Sequence, residues 1–475
     1  MIIIFERTKA MRVFKKYVFI LILFQWVAKC EPGDLIDYNF QENISLDVIQ
    51  AGLIIAGGGL GFSPPEFTIS SYDIRYESQN PDGNLDTLSG LVAIPNSTTQ
   101  AFPILSYQHG TGILDTDAPS ITGLSLFNIE ILAVGFLATS SGFITIFPDY
   151  VGMANPNVYH PYHIKDSYIR AVSHMIIAVK QLSQTLNGYE SFQYNDQLFL
   201  AGYSEGGYAT LAAQLGIEQL NNEEFQITAS FPMAGAYDLA GTMVNYFLSE
   251  PEYENPYYVP YVLTSHVWYY QGLNTGLNTY FEPYWAETLP NLFNGTFSGA
   301  QINNMLPDNV LDILIDSVLT DFTINDDHFL RQTLSQNTLL DWVPNSPTYL
   351  YHGLADDQVP HENSVVAYNT FQSNGASNVV LELLPESAGG HTSAAIPSII
   401  SGYNLMEGYK MINQKGDIDG DGDVTFIDQA YLSAMIINDL YSTDFQIWLA
   451  DLNYDEKINV IDMLMISDIA ESGGF

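Results

Sequence analysis

The chain has 475 residues, 14 of them basic and 54 acidic, for a formal net charge of −40. Apolar residues make up 47% and charged ones 14%, which excludes a disordered chain, since disorder needs low hydrophobicity with high charge. So few cations cannot assemble the basic patch that nucleic acid requires, and the lone cysteine, Cys30, excludes a disulfide framework or a thiolate zinc site.

In chain order, Arg7, Lys9, Arg12, Lys15 and Lys16 precede an apolar run over 17–28. The run is shorter than the ~20 residues of a spanning helix and suits the core of a signal peptide, here residues 1–30. Ala28 and Cys30 set small residues for cleavage before Glu31. An acylated Cys30 and an uncleaved anchor are the alternatives, and Met11 offers a second start. Six basic residues and Glu6 lie in this segment, so 8 basic and 53 acidic residues follow it. A charge that negative repels anionic membranes, favours bound cations, and fits an exported protein kept soluble in saline surroundings. No later stretch is long and apolar enough to span a bilayer.

Strand-like and helix-like segments then alternate over 69–412, the pattern of an α/β fold with a mostly parallel sheet. Strand candidates at 70–77 and 88–94 form an opening antiparallel pair around the turn Asn80-Pro81-Asp82-Gly83. Further strands are expected at 103–107, 143–147, 198–201, 227–231, 348–351 and 379–384, with helices clearest at 167–182, 208–220 and 363–371. The interval 241–345 carries aromatics (Tyr257, Tyr258, Trp268, Trp285) and amphipathic helices without a sheet-like run. It reads as a helical cap inserted between two core strands.

The chemistry sits at the strand ends. Gly202-Tyr203-Ser204-Glu205-Gly206 joins an apolar strand to a helix, the context in which G-x-S-x-G marks a nucleophile. The turn is so tight that its flanking residues lack side chains, and it lifts the serine hydroxyl above the sheet edge. An acid and then a histidine should follow. Asp356, in His352-Gly353-Leu354-Ala355-Asp356 with Val359-Pro360 after it, supplies the acid, leaving Asp357 as a loop or cap residue. His391, in Gly389-Gly390-His391-Thr392, supplies the base. The loop Gln108-His109-Gly110-Thr111-Gly112 follows the third core strand. Backbone N–H groups at Thr111 and Glu205 are expected to form the oxyanion hole, with His109 bracing the loop. Asp149 and His160 are expected to fix the loop after the fourth strand.

With these motifs in this order, the chain resembles the α/β-hydrolase superfamily over roughly 69–412, within a domain taken as 31–412. The strings Pro148-Asp149-Tyr150-Val151-Gly152, His160-Pro161-Tyr162 and Gly202-Tyr203-Ser204-Glu205-Gly206-Gly207 look like the secretory lipases and esterases. That resemblance implies hydrolysis of a lipid, polysaccharide or small-molecule ester under a lid, with no cofactor for catalysis. A serine peptidase of the same fold carries an identical triad, though only Arg75, Arg170 and Arg331 remain to grip peptide carboxylates. A non-catalytic adhesion scaffold is the third reading, and an intact Ser204, Asp356 and His391 speak against it.

Beyond Lys415 the composition turns Asp-rich and repeats. Asp417, Asp419, Asp421, Asp423 and Asp428 fall at positions 1, 3, 5, 7 and 12 of a D-x-[DN]-x-[DN]-G loop. Asp451, Asn453, Asp455, Lys457 and Asp462 occupy the same positions one repeat later, position 7 offering its carbonyl. Oxygen ligands at that spacing wrap a hard cation, Ca²⁺. The pair, over 415–475, resembles a type I-like dockerin built on an EF-hand pair. That implies calcium-dependent docking to a cohesin-like protein. Two features depart from the pattern. Glu456 stands where position 6 is glycine, so the second loop is expected to be weaker or strained. Positions 10 and 11 are apolar, Phe426-Ile427 and Val460-Ile461.

Overall fold

The computed structural model describes residues 30–472, apart from 58–63, 81, 156–157, 221–224, 250–252, 254, 273–275 and 439–442. The proposed signal segment lies outside the described residues except for Cys30, which is exposed and free.

The strands β1 (Leu35–Ile44), β2 (Ile69–Gln79), β3 (Leu85–Pro95), β4 (Gln100–Gln108), β5 (Ile144–Pro148), β6 (Gln193–Tyr203), β7 (Ile227–Met233), β8 (Thr348–Gly353), β9 (Val379–Leu384) and β10 (Asn413–Gln414) form one sheet. Its order is β1-β2-β3-β5-β4-β6-β7-β8-β9. β1, β2, β3 and β5 pair antiparallel, whereas β5, β4, β6, β7, β8 and β9 run parallel. The inner parallel strands β5, β4, β7 and β8 are largely apolar and buried on both faces because helices cover both sides, whereas the edge strand β9 is exposed at Val380 and Glu382. On one face α1 (Leu46–Gly57), α2 (Ile129–Ser140) and α6 (His391–Tyr409) pack over a cluster that includes Phe136, Phe143, Phe199 and Phe231. On the other, α3 (Lys165–Thr185) and α4 (Glu205–Leu220) bury Val172, Met175, Val179 and Ala213 against Ile104, Ile146 and Leu200. α5 (Glu362–Ser373) lies between β8 and β9. The arrangement fits the expected α/β-hydrolase fold, in which the C-terminal ends of the parallel strands share one edge.

Between β7 and β8 the described chain is helical, with segments at Val244–Ser249, Tyr258–Gln271, Pro283–Leu292, Asp316–Ile324 and Phe329–Gln336. These helices are not a separate body. Tyr261, Val262, Trp268, Phe293 and Leu334 share one hydrophobic cluster with Tyr150, Tyr168, Tyr208 and Leu211 of the sheet-bearing part.

The C-terminal residues hold α7 (Phe426–Asn438), α8 (Asp444–Ala450) and α9 (Val460–Ser472). Their small core is Val424, Leu432, Ala450, Leu452 and Ile466. They meet the sheet directly: β10 pairs antiparallel with Gln100 and Ala101 at the start of β4, and Lys415 N–H donates to Thr99 O at 2.8 Å. Tyr454 Oη donates to Thr98 O at 3.2 Å. The buried Lys415 ammonium lies 4.0 Å from the Tyr454 ring centroid and 5.0 Å from that of Trp448.

Candidate active site

Ser204 occupies the turn from β6 into α4 with φ at +61°, a left-handed conformation that costs a non-glycine residue ~1–2 kcal/mol. The surroundings impose it. Ser204 N–H donates to Met233 O at 2.9 Å, tying the turn to β7. A Cβ on Gly206 would stand 1.9 Å from Gln108 O, and one on Gly207 would stand 2.1 Å from Met233 O. Both glycines are therefore required by backbone approach, which locks the serine above the sheet edge.

His391 opens α6 just past β9, and its Nε2 lies 2.8 Å from Ser204 Oγ. Its Nδ1 lies 2.6 Å from Asp356 Oδ2, and the Asp356 side chain is wholly shielded from solvent. Asp356 Oδ1 accepts the N–H groups of Gln358 and Val359, at 3.0 and 2.8 Å. Burial pushes its carboxyl up, but hydrogen bonds from His352 and His391 and their charge outweigh this and hold it well below the usual carboxylate range. Ser204, His391 and Asp356 thus stand in one line. The neighbouring Asp357 accepts the backbone N–H of His391 at 3.0 Å, so it caps α6 and stays outside that line.

The loop after β4 approaches from the far side. Gly110 N–H is taken by Glu130 Oε1 at 3.1 Å, and that oxygen also accepts Tyr107 Oη–H at 2.8 Å. Thr111 is the next residue, and its Oγ1 lies 3.0 Å from Tyr162 Oη. Glu205 begins α4, so its N–H is among the first-turn donors that have no intrahelical acceptor and carry the positive end of the helix dipole. Glu205 thus adjoins the serine directly, and the loop that carries Thr111 reaches the same turn, where a Cβ on Gly110 would stand 3.7 Å from Tyr203 O. His109 Nδ1 lies 2.7 Å from Gly110 O, and its ring stacks on Tyr150 at 4.2 Å. Asp149 accepts Ser89 Oγ–H at 2.6 Å and Ser120 N–H at 3.1 Å, fastening the loop after β5.

Ser204 and Glu205 border a cavity of about 30 Å³, whose apolar lining includes Leu239, Met243, Phe247, Val262 and Leu334 from the insertion. Such a volume has room for one or two waters and not for an acyl chain, which requires the insertion to shift. The insertion also reaches the Thr111 loop, because the Tyr261 ring stacks on Tyr162 at 4.3 Å and Tyr162 N–H donates to Ser265 Oγ at 3.1 Å. His163, at the cavity wall, is held down to about 4 by burial, so it is neutral at neutral pH.

Sequence reasoning passed over three of these residues. His352, buried, lies 2.7 Å from Ser364 Oγ, 2.8 Å from Val359 O and 3.3 Å from Asp356, which gives the first histidine of the acid motif a role in shaping its loop. Glu130 carries no local motif at all. The Glu205 side chain, read only for its amide, is buried against His160.

In the C-terminal part, Asp417, Asp419 and Asp421 each bring a carboxylate oxygen within 4.8 Å of the others. Asp417 also accepts N–H from Gly420, Asp421 and Gly422 at 2.8, 3.1 and 3.0 Å. Asp423 is exposed and donates its N–H to Asp421 at 3.0 Å. Asp428 turns both oxygens onto Ile418, Asp419 and Thr425 N–H. The second loop repeats this. Asp451 accepts Asp455 and Glu456 N–H, Asn453 lies 3.2 Å from Asp455, and Asp462 accepts Leu452 and Asn459 N–H. The Lys457 carbonyl is engaged by Asn459 Nδ2 at 3.2 Å. Tyr454 and Glu456 adopt φ near +60°, where the first loop has Gly420 and Gly422 at +76° and +96°.

Comparison with known proteins places this architecture. No family model and no curated protein sequence matches the chain. Among solved structures, the rice cell wall degrading esterase LipA from Xanthomonas oryzae is 24% identical with a TM-score of 0.68, covering 78% of this chain and 95% of its own. A Legionella pneumophila protein with a hydrolase assignment is 25% identical with a TM-score of 0.71, over 79% and 98% of the two chains. Lipase A from Candida antarctica aligns at 16% identity and a TM-score of 0.54, over 84% and 82%.

Proposed function

We propose that this chain is an exported serine carboxylester hydrolase carrying a calcium-dependent docking module. The observation that carries the catalytic reading is the unbroken line from Asp356 through His391 to Ser204, at 2.6 and 2.8 Å. Ser204 Oγ attacks the ester carbonyl carbon while His391 Nε2 takes its proton, and Asp356 holds the Nδ1–H that fixes the tautomer and balances the imidazolium. The carbonyl oxygen becomes an oxyanion facing the Glu205 and Thr111 amides. Collapse expels the alcohol with the proton from His391. Water, deprotonated by the same imidazole, then releases the acid and restores Ser204. The apolar cavity wall and the fold shared with proteins named esterase and lipase support an ester over a peptide substrate. Rates on p-nitrophenyl esters of graded chain length, beside peptide anilides, test this. Faster cleavage of the anilides, or full activity in Ser204→Ala, overturns it.

For the C-terminal residues, the convergence of Asp417, Asp419 and Asp421 oxygens suits a hard, oxygen-seeking cation. Calcium would be held there with Asp423 and Asp428, and in the second loop by Asp451, Asn453, Asp455, Lys457 and Asp462, supplying positive charge to a small core. The apolar residues at positions 10 and 11 of each loop, Phe426, Ile427, Val460 and Ile461, are exposed, which supports a docking face for a cohesin-like protein. Calorimetry of the full chain with calcium decides the metal reading, and no heat at millimolar ion overturns it.

A further inference from the structure

Glu205 directly follows the nucleophile, yet its carboxylate is buried beneath the serine turn with no lysine or arginine against it among the described residues. An unbalanced carboxylate there would oppose the negative charge that ester hydrolysis develops at the neighbouring amides, at full strength because water is excluded. The proton positions around it resolve the difficulty. His160 Nδ1 lies 2.8 Å from Val151 O, a carbonyl that can only accept, so Nδ1 carries a hydrogen. His160 Nε2 lies 2.9 Å from Glu205 Oε1. Two lone pairs cannot face each other at that distance, so a second hydrogen lies between them. Tyr168 Oη donates to the same oxygen at 2.8 Å. Whichever atom holds the second hydrogen, the His160–Glu205 pair carries no net charge.

We propose that His160 is a positioning residue of the ester-hydrolysis site, and that the proton it shares with Glu205 neutralises the serine turn so that the oxyanion forms without a competing anion. The reading rests on the esterase assignment above. The direction of the Glu205 shift agrees: burial pushes its carboxyl up, and the His160 hydrogen bond and charge bring it below its ordinary value. Tyr150, stacked between His109 and His160, keeps the imidazole in plane with its partners.

The test is a rescue. His160→Gln can still donate one hydrogen bond to Glu205 but removes its counter-charge, so at an assay pH high enough to ionise the buried carboxyl it should lower kcat about 100-fold, the scale of losing an oxyanion donor, with KM little changed. Adding Glu205→Gln removes that charge, and the double variant should regain at least about ten-fold of the loss. If the double variant is no faster than His160→Gln, the neutralising role is wrong and His160 is only structural. Should the variants fail to fold, ¹⁵N NMR of the wild-type imidazole decides. A hydrogen on Nδ1 supports the proposal, and a bare Nδ1 with a neutral ring overturns it. An inactive wild type would refute the esterase reading instead, and the NMR result would still stand on its own.

Discussion

The carboxylates of the serine site and those of the C-terminal loops are balanced by opposite means. At the serine site Asp356 and Glu205 each face an imidazole, His391 and His160, whereas Asp149 and Glu130 in the same sheet-bearing part rest on hydroxyl and backbone N–H donors. In the C-terminal part, Asp417, Asp428, Asp451 and Asp462 are equally buried but accept backbone N–H groups, which neutralise only in part. The first region also stands on large aromatic clusters, the second on a core of Val424, Leu432, Ala450, Leu452 and Ile466. On the calcium reading proposed above, the contrast places the expected ion dependence in the C-terminal part, since a small core with carboxylates left on amides is where a divalent cation would contribute most to folding.

The largest effect belongs to the serine site: Ser204→Ala should lower ester turnover ~10⁴–10⁶-fold while leaving the calcium response of the C-terminal part unchanged, read by kinetics and calorimetry on the same preparation. Asp356→Asn should cost ~10⁴-fold through the wrong imidazole tautomer. Asp357→Asn weakens only a helix cap worth ~1 kcal/mol, so it should cost less than about ten-fold, and the reverse order would move the acid by one residue. Chelation should come next, melting the helicity of residues 415–475 while ester hydrolysis stays within about two-fold. Loss of both together would show that the junction at β4 couples the regions.

Two smaller effects probe charge and backbone. Because the folded-state carboxyl of Asp356 lies below its unfolded value, its contribution to stability is present above about pH 4 and is lost as pH falls through the folded value. Wild-type Tm should therefore fall relative to Asp356→Asn only below about pH 4. Glu456→Gly relieves a left-handed residue worth ~1 kcal/mol, so the second loop should bind calcium about five-fold more tightly. Unchanged affinity would mean the strain is absent or borne elsewhere.

What was legible follows from how far apart partners lie in sequence. Ser204, Asp356 and His391 each sit in a local string whose glycines encode a turn, so the site's order could be read before its geometry. Glu130 could not be found this way, since its partners Tyr107 and Gly110 come from a different element. α2 escaped because nine of its 12 residues are buried, and a helix apolar all round has no amphipathic period. β1 escaped for the opposite reason: as an edge strand, exposed at most positions, it reads as a polar loop. The turns at Tyr454 and Glu456 were half legible. Glu456 announced a departure from glycine, whereas the left-handed Tyr454 gave no signal.

The seam between β10 and β4 has a consequence for orientation. β4 spans nine residues, roughly 30 Å of extended chain. It begins at the seam and ends at the loop that flanks Ser204. The C-terminal part therefore grips the floor of the sheet while the Ser204 hydroxyl lies at its roof. A molecule tethered by that floor would turn its mouth away from the tether, free to graze whatever surface lies opposite.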